Sequence, residues 1–244
     1  MNRMLLLRFD APLMSFGGSM VDSIGVTNGF PGKSLITGLL ANAMGWCHND
    51  FEQLERLQER IRYAVRQDHP GTLITDYQTV DLGQPFLTSG WTTRGKPEGR
   101  EGGIAKKGTH IRQRDYLADA VFTIALELPS DMQAPTLDDL YEALLYPARP
   151  LFLGRKSCLP GTNVLHDCCE ADCLLAALRE TPLVVRNHMS KDAQDRYRVP
   201  AWWPQSEAAQ GIPVTVTDER DWRNQIHVGR SVIMHGTIEV TGGV

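Results

Sequence analysis

Between Gly90 and Arg114 the chain carries six glycines, seven Lys/Arg and only two acids, Glu98 and Glu101. The glycines (Gly90, Gly95, Gly99, Gly102, Gly103, Gly108) deny this stretch a stable helix. Its only large apolar side chains are Trp91, Ile104 and Ile111, so it cannot bury itself. A structureless excursion of this length inside a compact domain is functional or disordered. The fold must therefore be built from the sequence on either side, with this segment protruding.

Charge gives the segment a role. Arg94, Lys96, Arg100, Lys106, Lys107, Arg112 and Arg114 make it +5 in a chain of net charge −4, which leaves −9 on the remainder. An acidic body with one basic segment suits a local contact with a polyanion. Glycine lets the backbone approach a partner closely, and Lys/Arg neutralise phosphates. The segment reads as a thumb hairpin, at about 82–114, that rests on RNA or threads between subunits. The plainer alternative is a solvated loop.

The flanks supply the core. Met4 to Phe9 reads as a buried first strand, and a turn-rich loop from Asp10 to Gly32 follows. Leu35, Ile36, Leu39, Leu40, Ala43, Met44 and Cys47 recur at helical steps, and Phe51, Leu54, Leu57 and Ile61 form a second apolar face. Strands are expected at Arg62 to Arg66 and Leu73 to Val80, then, past the basic segment, at Val121 to Leu128. A helix from Leu137 to Leu145 precedes a strand at Pro150 to Leu153. The order is compatible with a βαββαβ ferredoxin-like domain in an α+β protein, over residues 1–160. Residues 161–244 suggest a smaller, mostly β region, with Val199 to Pro204 as a loop packed on it.

Other signals bound the chemistry. The five cysteines are odd in number and three crowd together, which argues for a reducing cytoplasm rather than a disulfide scaffold. Cys168, Cys169 and Cys173 lack C-x-x-C spacing, so neither a metal nor a cofactor is expected. No signal peptide or membrane span is expected. Pro31-Gly32-Lys33-Ser34 resembles the end of a phosphate-binding loop, but Thr27 stands where that motif needs glycine. Lys33 and Ser34 at a helix N-terminus remain a contact for one phosphate, or a plain helix start. Gly154-Arg155-Lys156-Ser157 is a loop that can present backbone N–H groups and an Arg fork to phosphate oxygens. Phe16 (beside Gly17), Trp91 and Tyr116 are candidates to stack on bases, with core the stronger expectation for Phe16 and Tyr116. The seven histidines show no pairing. Only His110 sits among cations, as the one candidate for RNA cleavage.

Five collinear stretches carry a family resemblance: Arg8-Phe9-Asp10-Ala11-Pro12-Leu13-Met14-Ser15-Phe16-Gly17-Gly18; Phe30-Pro31-Gly32-Lys33-Ser34 with Gly38-Leu39-Leu40-Ala41; Asp76-Tyr77-Gln78-Thr79-Val80; Arg114-Asp115-Tyr116-Leu117-Ala118-Asp119-Ala120-Val121-Phe122; and Pro150-Leu151-Phe152-Leu153-Gly154-Arg155-Lys156-Ser157-Cys158. They resemble the CasD-type subunits of type I-E CRISPR Cascade complexes, within the RAMP superfamily. The resemblance implies a ferredoxin-like, RRM-related domain with a thumb hairpin. It implies a subunit that holds the 5′ handle of the CRISPR RNA, contacts the backbone subunit CasC and the large subunit CasA, and meets target DNA through the complex. A separate subunit, CasE, cleaves the precursor RNA in such systems, so this chain would bind without cutting. Two departures bear on that. Gln78 stands where relatives often carry His, and the Tyr, Lys and His of a type I-C nuclease branch are not matched here. The alternative is a metal-independent endoribonuclease processing precursor CRISPR RNA.

Overall fold

The computed structural model describes residues 1–18, 23–81, 89–91, 97–99, 109–129, 133–184 and 196–241. The chain is a mixed α+β protein whose sheets are mostly antiparallel. Its first half runs β1 (Asn2–Asp10), β2 (Leu13–Met14), β3 (Ile24–Gly25), α1 (Lys33–Ala43), α2 (Phe51–Arg60), β4 (Arg62–His69), β5 (Thr72–Asp81), β6 (Ser89–Trp91) and β7 (Pro97–Gly99). The second half runs β8 (Thr109–Ala118), β9 (Val121–Glu127), α3 (Leu137–Leu145), β10 (Leu165–Ala171), α4 (Leu174–Glu180), β11 (Arg196–Pro204), β12 (Ile212–Val216), β13 (Glu219–Asp221), β14 (Ile226–Val228) and β15 (Ser231–Thr241).

The main sheet has seven strands in the order β10-β1-β9-β4-β11-β15-β12. Its centre is covered on both faces, which explains why β1 and β9 are apolar at nearly every position rather than at alternate ones. Leu5, Leu7 and Phe9 of β1 and Phe122, Ile124 and Leu126 of β9 face α1 and α3. Met4 and Leu6, with Ala125, face α4 and its Leu174, Leu175 and Leu178. α3 begins with a reciprocal cap: Thr136 Oγ1 accepts from the Asp139 N–H, and the Asp139 carboxylate accepts from the Thr136 N–H.

Two expected elements differ. Leu151 to Leu153 is not a strand. Leu153 is fully buried, but its backbone bonds within the loop to Cys158 and to Ser15. The strand beside β1 is instead β10, a polar edge strand whose sequence, Leu165-His166-Asp167-Cys168-Cys169-Glu170-Ala171, hides it. Conversely, Val199 to Pro204 is not a loop but lies in β11, paired with β15 along its whole length. Its prolines are tolerated because β4 pairs with β11 only at Ala201 and Trp202, so no ladder bond is asked of Pro200 or Pro204 on that side. β11, β15 and β12, all beyond residue 160, continue the same sheet as β1.

A second sheet projects from the first. β5 and β8 form a ten-residue antiparallel ribbon from Thr72↔Ala118 to Asp81↔Thr109, with β2 and β3 along the other edge of β8. Within the basic segment β6 pairs with β7, Ser89 opposite Gly99.

Candidate nucleic-acid interface

The loop at 152–156, the loop at 15–17, one face of α1 and the β13–β14 hairpin enclose a groove of about 520 Å³. Arg155, Lys156 and Arg220 supply its formal positive charge, His48 and His227 lie at its rim, and no carboxylate is among the residues that line it.

Gly154 sets the first wall. Its φ is +108°, and a Cβ there would fall 1.7 Å from the Ser15 carbonyl oxygen. Only glycine allows the two loops to close together. Lys156 and Ser157, just beyond, are exposed. Gly17 sits at φ +67° with open space around it.

The second wall is a hairpin whose placement rests on two buried side chains. Asp218 accepts from the Lys33 N–H at 3.1 Å and from the Tyr63 hydroxyl at 3.1 Å, and Ser231 donates to it as well. Burial, with the Asp218 carboxylate beside it, pushes the Tyr63 hydroxyl well above its ordinary pKa. Gln58 on α2 grips the hairpin backbone: its Nε2 donates to the Arg220 carbonyl at 3.0 Å, and its Oε1 accepts from the Arg220 N–H at 3.1 Å and from Trp222 Nε1 at 3.2 Å. Arg220 and Trp222 are thereby turned into the groove.

This arrangement corrects three sequence readings. Lys33 and Ser34 do stand at the start of α1, but their donors are taken. The Ser34 N–H bonds the Asp218 carbonyl at 2.8 Å, and Lys33 Nζ pairs with Glu219 at 3.0 Å. Asp218 caps the helix where a phosphate was expected, and Gly32 makes room, since a Cβ there would lie 2.9 Å from the Asp218 Cβ. Arg155 lines the groove, yet its fork is spent on backbone: Nη1 donates to the Asp115 carbonyl and Nη2 to the Gly25 carbonyl, both at 2.9 Å. Its guanidinium lies 4.7 Å over the Tyr116 ring. Phe16 and Tyr116 are core. Phe16 packs edge-on against Phe122 at 5.1 Å, and Tyr116 is 6% exposed under Arg155, so neither offers a face to a base.

Of the remaining expected residues, Arg112 and Arg114 lie on β8. With His110 and Tyr116 they share one face, because alternate strand residues point the same way. Arg114 stands opposite Asp76 in the ribbon, and its guanidinium crowds Gly25 beside that of Arg155. A row of basic positions therefore runs from the groove out along the ribbon. Arg94, Lys96, Arg100, Lys106 and Lys107 lie outside the described residues. Arg220, Trp222, His227, His48 and Asn42 were missed by sequence reasoning. Nothing local marks the hairpin, which meets α1 only through contacts spanning some 185 positions. Among the described residues no group of three His, Cys, Asp or Glu is placed to hold a metal, and no helix is long and apolar enough to cross a membrane.

A mixed α+β protein with a cation-lined groove at one end of its main sheet is the class these features define. The chain belongs to the CRISPR-associated Cas5 family: the family model described as CRISPR-associated protein (Cas_Cas5) matches residues 4–234. It is 32% identical over 184 residues to the Cascade subunit CasD of Escherichia coli K12, covering 75% of this chain and 79% of that one. Its structure is similar to a chain of a CRISPR RNA-guided surveillance complex, with a TM-score of 0.73 at 26% identity over 98% of this chain and 91% of that one. A crystal structure of a Cas protein shares the fold, with a TM-score of 0.60 at 23% identity over 98% of this chain and 95% of that one. The CasD-type resemblance read from the sequence thus holds.

Proposed function

We propose that this chain is the RNA-gripping subunit of a Cascade-type surveillance complex in the cytoplasm. It holds the 5′ handle of the CRISPR RNA, docks the backbone subunit CasC and the large subunit CasA, and does not itself cut RNA. The observation that carries the reading is the groove: cations on two walls, no lining carboxylate, and a row of basic positions leading from it along β8. The relatives support the assembly, since one is a Cascade subunit and another sits in an RNA-guided complex. Cleavage is disfavoured by geometry. His110 lies six residues along β8 from Tyr116, about 20 Å at strand rise, from the loop that carries Arg155.

We read β1, α1, β4, β9, α3 and β10 as a ferredoxin-like βαββαβ core, which the strand order β10-β1-β9-β4 supports. Residues 161–244 are then a smaller, mostly β addition: β10 closes the core sheet and β11, β15 and β12 extend it past β4.

The test is to incubate the purified chain with labelled CRISPR repeat RNA in EDTA. The expected result is a retained, uncut RNA. Cleavage that disappears in His110→Ala would overturn the reading in favour of the endoribonuclease.

A further inference from the structure

Beside the groove lies a second cavity of about 230 Å³, lined by Trp46, Trp222, Leu54 and Ala41, with Cys47, His48 and Arg149 at one side. The two hollows share Gly38, Asn42, His48 and Trp222, so they are continuous. One is basic and open, and the other is small, largely apolar and walled by two indoles. We infer that the cavity is a pocket for one nucleobase, extruded from the RNA strand whose backbone lies in the groove; this rests on the groove's being an RNA site.

The chemistry of the two compartments matches the two halves of a nucleotide. Phosphates require cations and no neighbouring carboxylate, which the groove provides. A base requires flat apolar walls with a few polar groups at the edge, and aromatic side chains suit any base because each has a π-face. Asn42 stands at the junction. Its Nδ2 donates to the Pro150 carbonyl at 2.7 Å, which fixes the amide and leaves Oδ1 as the acceptor it presents. Trp46 is held in place from outside the pocket: Arg149 donates to the Trp46 carbonyl at 2.7 Å and to the Gly45 carbonyl at 2.8 Å, across about a hundred positions of sequence. The turn is therefore set before any ligand arrives.

An independent observation comes from Gly38. Glycine in the middle of α1 weakens the helix relative to alanine. Packing does not demand it, because a Cβ there would make only ordinary contact with Trp222, at 3.5 Å. What a longer side chain would do is fill the passage between groove and pocket. A helix-weakening residue retained where it keeps a passage open is what a base-admitting site requires.

The experiment compares the full chain's affinity for single-stranded oligoadenylate of about ten residues with that for a matched abasic ribose-phosphate oligomer. The wild type is expected to bind oligoadenylate about tenfold more tightly. Gly38→Met and Trp46→Leu should each bring that ratio near one while leaving the abasic affinity unchanged, and Gly38→Ala should keep the wild-type ratio. Circular dichroism verifies that each variant is folded. Persistence of the ratio in both Gly38→Met and Trp46→Leu would overturn the inference. If the wild type binds both oligomers equally, the groove reading stands and the pocket falls. If it binds neither, both fall.

Discussion

Asp218 accepts the hydrogen bond of the Lys33 N–H at 3.1 Å, joining the first residue of α1 to a chain segment 185 positions later. The same carboxylate takes the Tyr63 hydroxyl and the Ser231 hydroxyl, so one 8%-exposed side chain ties helix, sheet and hairpin together. Asp218→Ala leaves the Tyr63 hydroxyl buried without its acceptor and uncaps α1. The expected cost is about 2–3 kcal/mol, read as a lowered urea midpoint. The hairpin should then loosen, exposing Trp222, whose fluorescence maximum should shift to the red in the variant under native conditions.

Tyr63 gives that junction a pH dependence. Its pKa is raised in the folded state, chiefly by burial and further by Asp218, so the unfolded chain loses the phenolic proton first. The contribution of Tyr63 is complete below the ordinary tyrosine value of about 10 and declines as pH rises above it. Tyr63→Phe removes this dependence and costs about 1 kcal/mol at neutral pH through the lost hydrogen bond. The stability difference between wild type and variant should therefore shrink between pH 9 and pH 11, read from urea melts. A constant difference across that range would show that the hydroxyl is not held in its neutral form.

Arg66 and Asp68 lie two apart on β4 and so point to one face, where both are fully buried. Arg66 Nε and Nη2 bridge the Asp68 carboxylate at 2.6 and 2.9 Å, and Nη1 donates to the Leu178 and Thr181 carbonyls at the end of α4. Thr123 Oγ1 and the Val184 N–H complete the carboxylate's partners. The pair is thus a buried clamp between sheet and helix. Arg66→Met strands the Asp68 charge and is expected to cost about 3–5 kcal/mol by chemical denaturation. Adding Asp68→Asn removes the stranded charge and should recover part of that loss, which an additive result would contradict.

The two positive-φ glycines at the groove separate strain from collision. Gly17→Ala meets open space, so it costs only the left-handed backbone penalty, about 1–2 kcal/mol. Gly154→Ala places a methyl group on the Ser15 carbonyl oxygen, and the loop has to move. It should cost about 3 kcal/mol or more and weaken RNA binding even at temperatures where the variant is folded. Thermal melts paired with binding at low temperature distinguish the two.

What the sequence made legible follows from range. α1, α2 and α3 announce themselves through three- and four-residue apolar spacing, and β1 and β9 through unbroken apolar runs, because each buries itself within one element. β10 is invisible by the same rule: it is an edge strand carrying His166, Asp167 and Glu170, and its pairing with β1 supplies what its side chains do not. The groove divides likewise. Gly154 and Lys156 were readable as a loop between glycines. That Lys33 and Ser34 were already satisfied by Asp218 was not, since a helix start shows its need for a partner but not which partner fills it.

Arg155 and Lys156 are neighbours with opposite duties. Lys156 is exposed at the groove, with no competing carboxylate in the lining, so Lys156→Ala should reduce the magnitude of the salt slope of RNA binding by about 0.7 with melting temperature unchanged. Arg155 holds the Asp115 and Gly25 carbonyls and stacks over Tyr116. Arg155→Ala should lower stability by about 2 kcal/mol and leave the salt slope as it is. Arg155→Lys should not restore stability, because an ammonium cannot reproduce a fork that spans two carbonyls. If Arg155→Ala instead flattens the salt slope as much as Lys156→Ala does, its guanidinium meets phosphate in the complex, and the bonds to Asp115 and Gly25 belong to the RNA-free chain alone.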